Sequence, residues 1–213
     1  MPHLTAPWTL LADATALVVL LLYHARLVHH LRHDPARTVI GRNRGVRRAW
    51  LAEVIARKAD ILAVQTLRNW AMTATFLAST AILIAVGIVH FMFSNVPGAA
   101  AASELLRAPW AGAKLLTLAS LFFVAFFCFA QTLRALNHLG FEIVVARDET
   151  FETVLAHLHR HADSFTFGMR SFYLSLPVSL WLFGAAHFLA ATLVLTLLLA
   201  RLDYARDPGP PLV

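Results

Sequence analysis

The sequence predicts an all-α integral membrane protein: a four-helix bundle whose second and third helices extend into the cytoplasm and whose termini both lie outside. Three observations carry that reading. The 213 residues are 59% hydrophobic and 14% charged, with a mean hydropathy of +0.65, too apolar for an ordinary soluble domain. Four apolar stretches are long enough to cross a hydrocarbon core, which takes roughly 20 residues as a helix. The basic residues crowd into one connection between those stretches. In lipid a helix closes its backbone hydrogen bonds within one segment, so these runs are read as helices and not as strands.

The first predicted span covers 8–27. It has no basic n-region, and its positive charge follows the apolar run, so it reads as a retained helix entering with its amino end outward. Asp13 lies near its outer end, where a wet structural position fits as well as a functional one. The connection that follows carries Arg26, Arg32, Arg37, Arg42, Arg44, Arg47, Arg48, Arg57, Lys58 and Arg68, whereas the next connection carries only Arg107 and Lys114. The basic connection is therefore placed in the cytoplasm.

From about Val46, apolar residues at Leu51, Val54, Ile55, Ile61, Leu62 and Val64 follow helical spacing, and Glu53 and Arg57 form an i,i+4 pair. One long helix is expected to start in the cytoplasm and run into the second span, 70–93. That span carries Ala71, Thr75 and Ser79 at steps of four, beside Ala74 and Ala78, a small-residue face suited to close helix packing. The outer connection is rich in small residues and holds two prolines, with a short helix expected at 99–107.

The third span covers 115–136 and contains the single cysteine, Cys128, which excludes an internal disulfide and leaves a packing role. The fourth covers 172–200, longer than one crossing, with Pro177 expected to bend its start. One transmembrane domain is thus expected over 1–204, and the proline-rich 205–213 as a disordered tail. The intervening connection, 140–171, is assigned to the cytoplasm as well.

The tetrapeptide QTLR occurs at 65–68 and again at 131–134. Its flanks disagree, since one copy opens a span and the other closes one, so helix duplication is rejected and shared depth retained. Gln131, Arg134, His138 and Glu142 follow offsets that place them in one polar stripe; Gln65, Arg68 and Asn69 share a face of the incoming helix. If the two helices are antiparallel neighbours, Gln65 and Arg68 are expected to approach the stripe at the inner membrane edge. Snorkelling to lipid phosphates is one role for these arginines, and a polar cluster lining a vestibule is the other.

Together LAVQTLRNWAMTATFLASTAILIAVG, CFAQTLRALNHLGFEI and FGMRSFYLSLPVSLWLFG resemble the membrane family described as domain of unknown function 599, over roughly 49–184. The resemblance implies a multi-helix membrane protein and assigns no activity, so no catalytic residue is carried over. With it comes the expectation of a bacterial cytoplasmic (inner) membrane.

Histidine is the unusual ionisable type, with eleven. His29 and His33, and His157 and His161, are i,i+4 pairs that on helices would each offer a face to a divalent metal. Their arginine-rich surroundings oppose a cation, and no CxxC or HExxH accompanies them, so no metal is expected. His90 and His187 raise haem ligation, but His90 lies near the outer end of its span and His187 near the middle of the fourth, so no cofactor is expected either.

GxGxxG, Walker A and GxSxG sequences and paired intramembrane carboxylates are absent from the sequence. The basic connection is accounted for by topology and anionic lipid, so nucleic acid is excluded as a partner. The first function class is a non-enzymatic membrane component presenting a basic cytoplasmic hairpin to anionic headgroups or to a protein partner, with a homo-oligomer open. The alternative is a small oligomeric channel or carrier gated at the Gln/Arg cluster. Against that alternative, the sequence displays no discontinuous span and no intramembrane charge pair.

Overall fold

The computed structural model describes residues 7–94 and 110–204. Among these it contains six helices: α1 (Pro7–His33), α2 (Val39–Arg57), α3 (Asp60–Phe93), α4 (Ala111–Val145), α5 (Phe151–Trp181) and α6 (Ala185–Asp203). Four of them, α1, α3, α4 and α6, are long and apolar enough to cross a membrane, and the chain is a multi-pass helical membrane protein. β-type pairing amounts, among the described residues, to one isolated bridge between Thr38 and Tyr204. The short helix expected at 99–107 and the tail at 205–213 lie outside the described residues.

Packing runs in a row from α3 to α4 to α5 to α6 to α1. The central helix is α4, which buries residues along its whole length, from Ala111 to Ile143. It runs antiparallel to α3, with Leu67 beside Leu136 and Leu139 at one end and Ala81 and Ala85 in the cluster of Leu118 and Phe122 at the other. In lipid, close packing rather than water exclusion drives such contacts, and small side chains permit it. The small face of α3 that packs is Ala74, Ala78, Ala81 and Ala85. Of the expected small residues Ala74 and Ala78 belong to it, whereas Thr75 and Ser79 are exposed, and the Thr75 hydroxyl is satisfied on the Ala71 carbonyl at 2.9 Å.

Three expectations are corrected. The cytoplasmic helix and the second span are not continuous, because α2 ends at Arg57 and Lys58 adopts a left-handed conformation (φ 51°). Its N–H bonds to the Ile55 carbonyl at 3.2 Å and the Ala59 N–H to the Val54 carbonyl at 3.0 Å, a Schellman closure that satisfies the last carbonyls of α2. The expected Glu53–Arg57 pair forms on the last turns before it.

The stretch 172–200 is not one helix. It breaks at 182–184, where Gly184 takes φ 132°, a backbone state that side chains disfavour. Pro177 lies inside α5, well before that break. The outer half of α5 climbs antiparallel beside α4, through Phe165 against Phe129 and Phe172 against Phe122, until the Lys114 Nζ reaches the Trp181 carbonyl at 3.1 Å. The chain then turns back as α6, whose 19 residues rise about 28 Å, close to a hydrocarbon core.

The first and last described residues, Pro7 and Tyr204, consequently lie at opposite ends of the bundle, against the expected shared side. Asp13 near Trp181 just before α6, Tyr23 with Asp203 at its end and Thr38 with Tyr204 beyond it show α6 running parallel to α1. The described chain begins at the end holding Trp110 and Trp181 and finishes at the opposite, basic end. The physical reason is the hairpin at 182–184, which hydropathy alone does not register because Leu-Phe-Gly continues an apolar run. At the far end Asp13 accepts a hydrogen bond from the Trp181 indole at 2.8 Å, a structural use of that carboxylate.

Candidate functional sites at the basic end

At the basic end, α4 and α5 leave an open groove of about 350 Å³ lined by Gln131, Arg134, Ala135, His138 and Glu142 of α4 and His157, Arg160 and His161 of α5. The α4 members are the predicted stripe, and helical periodicity alone brings them to one face. The α5 members could not be read from periodicity, since tertiary packing supplies them. Above the groove the two helices close tightly. The Thr132 and Ser164 hydroxyls both donate to the Cys128 carbonyl, at 2.8 and 3.1 Å, and Gly168 admits Phe129 where a Cβ would lie 2.9 Å from its ring.

Within the groove, Glu142 Oε2 is 2.8 Å from His157 Nδ1. His161 is held below the ordinary imidazole range, first by burial and then by the neighbouring His157. Arg134 and Arg160 have no ion-pair partner among the described residues. The groove is therefore cationic, with its carboxylate already engaged.

The first QTLR copy lies elsewhere. Arg68 lines a separate, mainly apolar groove of about 400 Å³ between α3 and α4, with Leu136, Asn137, Gly140 and Phe141. Gln65 and Asn69 are exposed. The helices are antiparallel neighbours as expected, but the two copies occupy different faces of α4, and the expected approach of Gln65 and Arg68 to the stripe is not found. Residues 136 and 140 lie roughly opposite 134 and 138 on the helix, which is why a shared depth did not become a contact.

A second polar site is buried between α1, α5 and α6. Arg170 pairs with Asp203 Oδ1, and the Tyr23 hydroxyl donates to Asp203 Oδ2. The Arg170 and Asp203 side chains are 12% and 9% exposed. A buried charge pair is thus present that the sequence did not reveal, and with Tyr23 the cluster draws on three helices, α1, α5 and α6. The readable signal was Arg170, the sole charge in SFTFGMRSFYLSLPVSLW. Around and above this triad, Arg170 Nη1, Thr192 Oγ1, Thr196 Oγ1 and the Tyr204 hydroxyl are buried without a hydrogen-bond partner.

The basic connection itself is largely docked. Arg44 contacts Asp163 at 2.6 Å, Arg48 pairs with Glu152 and lies over the Phe151 ring at 5.3 Å, and the Arg44 carbonyl accepts from His159 Nε2 at 3.2 Å. Hydrogen bonding to Arg48 holds the Glu152 carboxyl below its usual range. Arg37 and Arg57 pair locally with Asp34 and Glu53. Thr38 caps α2 by accepting from the Gly41 N–H at 3.1 Å and donating to the Pro35 carbonyl at 2.9 Å.

The histidine pairs do not converge. His29 and His33, ring centroids 4.5 Å apart, line a groove of about 500 Å³ on α1 with His24 and Arg32, whereas His157 and His161 belong to the α4–α5 groove. Among the described residues no three His, Cys, Asp or Glu side chains come together as a metal would require. His187, expected mid-span, is instead exposed in the first turn of α6, because the chain breaks just before it. His90 is exposed near the end of α3.

The chain belongs to the DUF599 family, described as proteins of unknown function, whose profile matches residues 11–208. Neither a curated protein nor a solved structure matches it.

Proposed function

We propose that the protein is a non-enzymatic component of a bacterial cytoplasmic membrane that holds anionic headgroups against its inner face. The observation that supports this reading most is the convergence of Arg134 and Arg160, both without carboxylate partners, in one groove at the basic end. Under the positive-inside rule that end is cytoplasmic, which puts Pro7 outside and Tyr204 inside. Docking of α2 onto α5 spends Arg44 and Arg48 on the fold, so the groove rather than the hairpin is the surface offered to lipid.

Two measurements test it. In nanodiscs of mixed composition, native mass spectrometry should find anionic phospholipid retained in preference to zwitterionic lipid, and equal retention contradicts the reading. In a Cys128→Ser background, cysteines at Arg147 and Arg201 should resist an impermeant thiol reagent in intact cells while one at Trp110 is labelled. Labelling at Arg201 would restore the arrangement with both termini outside.

A carrier for a small anion is the second reading, favoured by the buried Arg170–Asp203 pair, the unpartnered hydroxyls of Thr192 and Thr196, and the hairpin that divides the last apolar stretch. Anion flux into reconstituted vesicles that disappears in Arg170→Lys would favour it over the first.

A further inference from the structure

We propose that the α4–α5 groove is a site for a phosphate oxyanion, filled by the headgroup of an anionic phospholipid whose chains lie along the outer surface of α4. The proposal deepens the reading above and rests on it. Two guanidiniums without acid partners present forked donors that match a phosphate better than a carboxylate-rich pocket would. Glu142 is the sole carboxylate in the lining, set against two guanidiniums, and its Oε2 is engaged by His157 Nδ1 at 2.8 Å. The Gln131 amide and the His138 and His161 rings add donors around the same opening.

Depth agrees with a headgroup. Gln131 lies twenty residues beyond Ala111, or roughly 30 Å along α4, which is one hydrocarbon thickness. The stripe that follows therefore sits at and beyond the inner interface. One turn above Gln131 the exposed ring of Phe127, and above it the exposed side chain of Val124, continue the same helical face as an apolar track for an acyl chain. Directly above the groove, the Ser164 hydrogen bond to the Cys128 carbonyl and the close approach of Gly168 to Phe129 hold α4 and α5 together. The groove on α1, by contrast, holds a single guanidinium, Arg32, beside His24, His29 and His33.

The test counts lipids retained by the full chain after release from phosphatidylglycerol and phosphatidylcholine nanodiscs, for wild type, Arg134→Leu/Arg160→Leu, Arg134→Lys/Arg160→Lys and Glu142→Gln. Retention of phosphatidylglycerol should weaken roughly tenfold or more in the leucine variant, as expected for two lost charge-assisted contacts, and less in the lysine variant. Glu142→Gln should strengthen it. Added inorganic phosphate distinguishes the sources: displacement of lipid at millimolar phosphate marks a site for the free anion, and resistance marks a lipid headgroup. Should the leucine variant fail to fold, the lysine and glutamine variants decide, and unchanged retention in both overturns the proposal. If wild type prefers phosphatidylglycerol and the leucine variant does so equally, the groove is the wrong site while the lipid-facing reading stands. If wild type shows no preference, that reading itself fails.

Discussion

Arg170 and Arg134 are arginines on two neighbouring helices, α5 and α4, and they are used in opposite ways. Arg170 is nearly enclosed between α5, α6 and α1 and meets Asp203, whose other oxygen takes the Tyr23 hydroxyl. Arg134 stands in an open groove with Arg160 and has no ion-pair partner among the described residues, the groove's one carboxylate, Glu142, meeting His157 instead. An arginine supplied with its own carboxylate holds the chain together, since removing either partner would strand a charge in low dielectric. One left without a carboxylate contributes little to the fold and is free for an anion from outside. The α2–α5 contacts fall between these cases: they are paired, but at half-exposed positions where an ion pair is worth little.

That difference can be broken most visibly in the core. Arg170→Leu or Asp203→Leu should each cost about 3–5 kcal/mol, because the surviving charge is left buried and unpaired. The double leucine variant should cost less than either single change, and thermal unfolding in detergent measures both. A double variant no better than the singles would mean that the triad stabilises through packing alone.

The connection between α1 and α2 offers an intermediate effect. Thr38→Ala removes the cap on Gly41 and should cost about 1 kcal/mol. A fully buried Thr38 that also pairs with Tyr204 should transmit that loss to the end of α6, read as faster hydrogen exchange at its last turn. Unchanged exchange there would make the bridge incidental. Arg44→Ala, at the half-exposed contact with Asp163, should cost under about 1 kcal/mol, and the deficit should shrink further at high salt. The smallest change in stability belongs to the groove, where Arg134→Leu and Arg160→Leu together should leave unfolding within about 0.5 kcal/mol of wild type in zwitterionic lipid.

Hydropathy and helical periodicity are local properties, and what depends on them was readable. The apolar runs became helices, and Gln131, Arg134, His138 and Glu142 share a face because one helix carries them. Features made by two helices were not readable. His157, Arg160 and His161 complete the groove only because α5 turns back along α4. Tyr23 and Asp203 meet only because α6 runs parallel to α1, which in turn requires the hairpin at Gly184 inside an unbroken apolar run. Gly184 inside that stretch and the charge of Arg170 just before it were the two signals, and neither disturbs mean hydropathy enough to divide the run. The stop at Lys58 had no Gly or Pro to announce it, and its Schellman closure comes from backbone geometry. The two QTLR copies teach the converse lesson: identical residues at one depth can face different neighbours, because position around the helix is set by packing and not by the tetrapeptide.

The most direct test of the division between paired and unpaired arginines is the shift in unfolding temperature on replacing zwitterionic with anionic lipid, followed by tryptophan fluorescence in wild type and in Arg134→Leu/Arg160→Leu. A ligand that binds the folded state raises that temperature in proportion to its affinity. The expected result is a clear rise for wild type and little or none for the variant, with both starting from the same temperature in zwitterionic lipid. A variant that starts well below wild type, or that keeps the full rise, would contradict the assignment of these two arginines to an external anion.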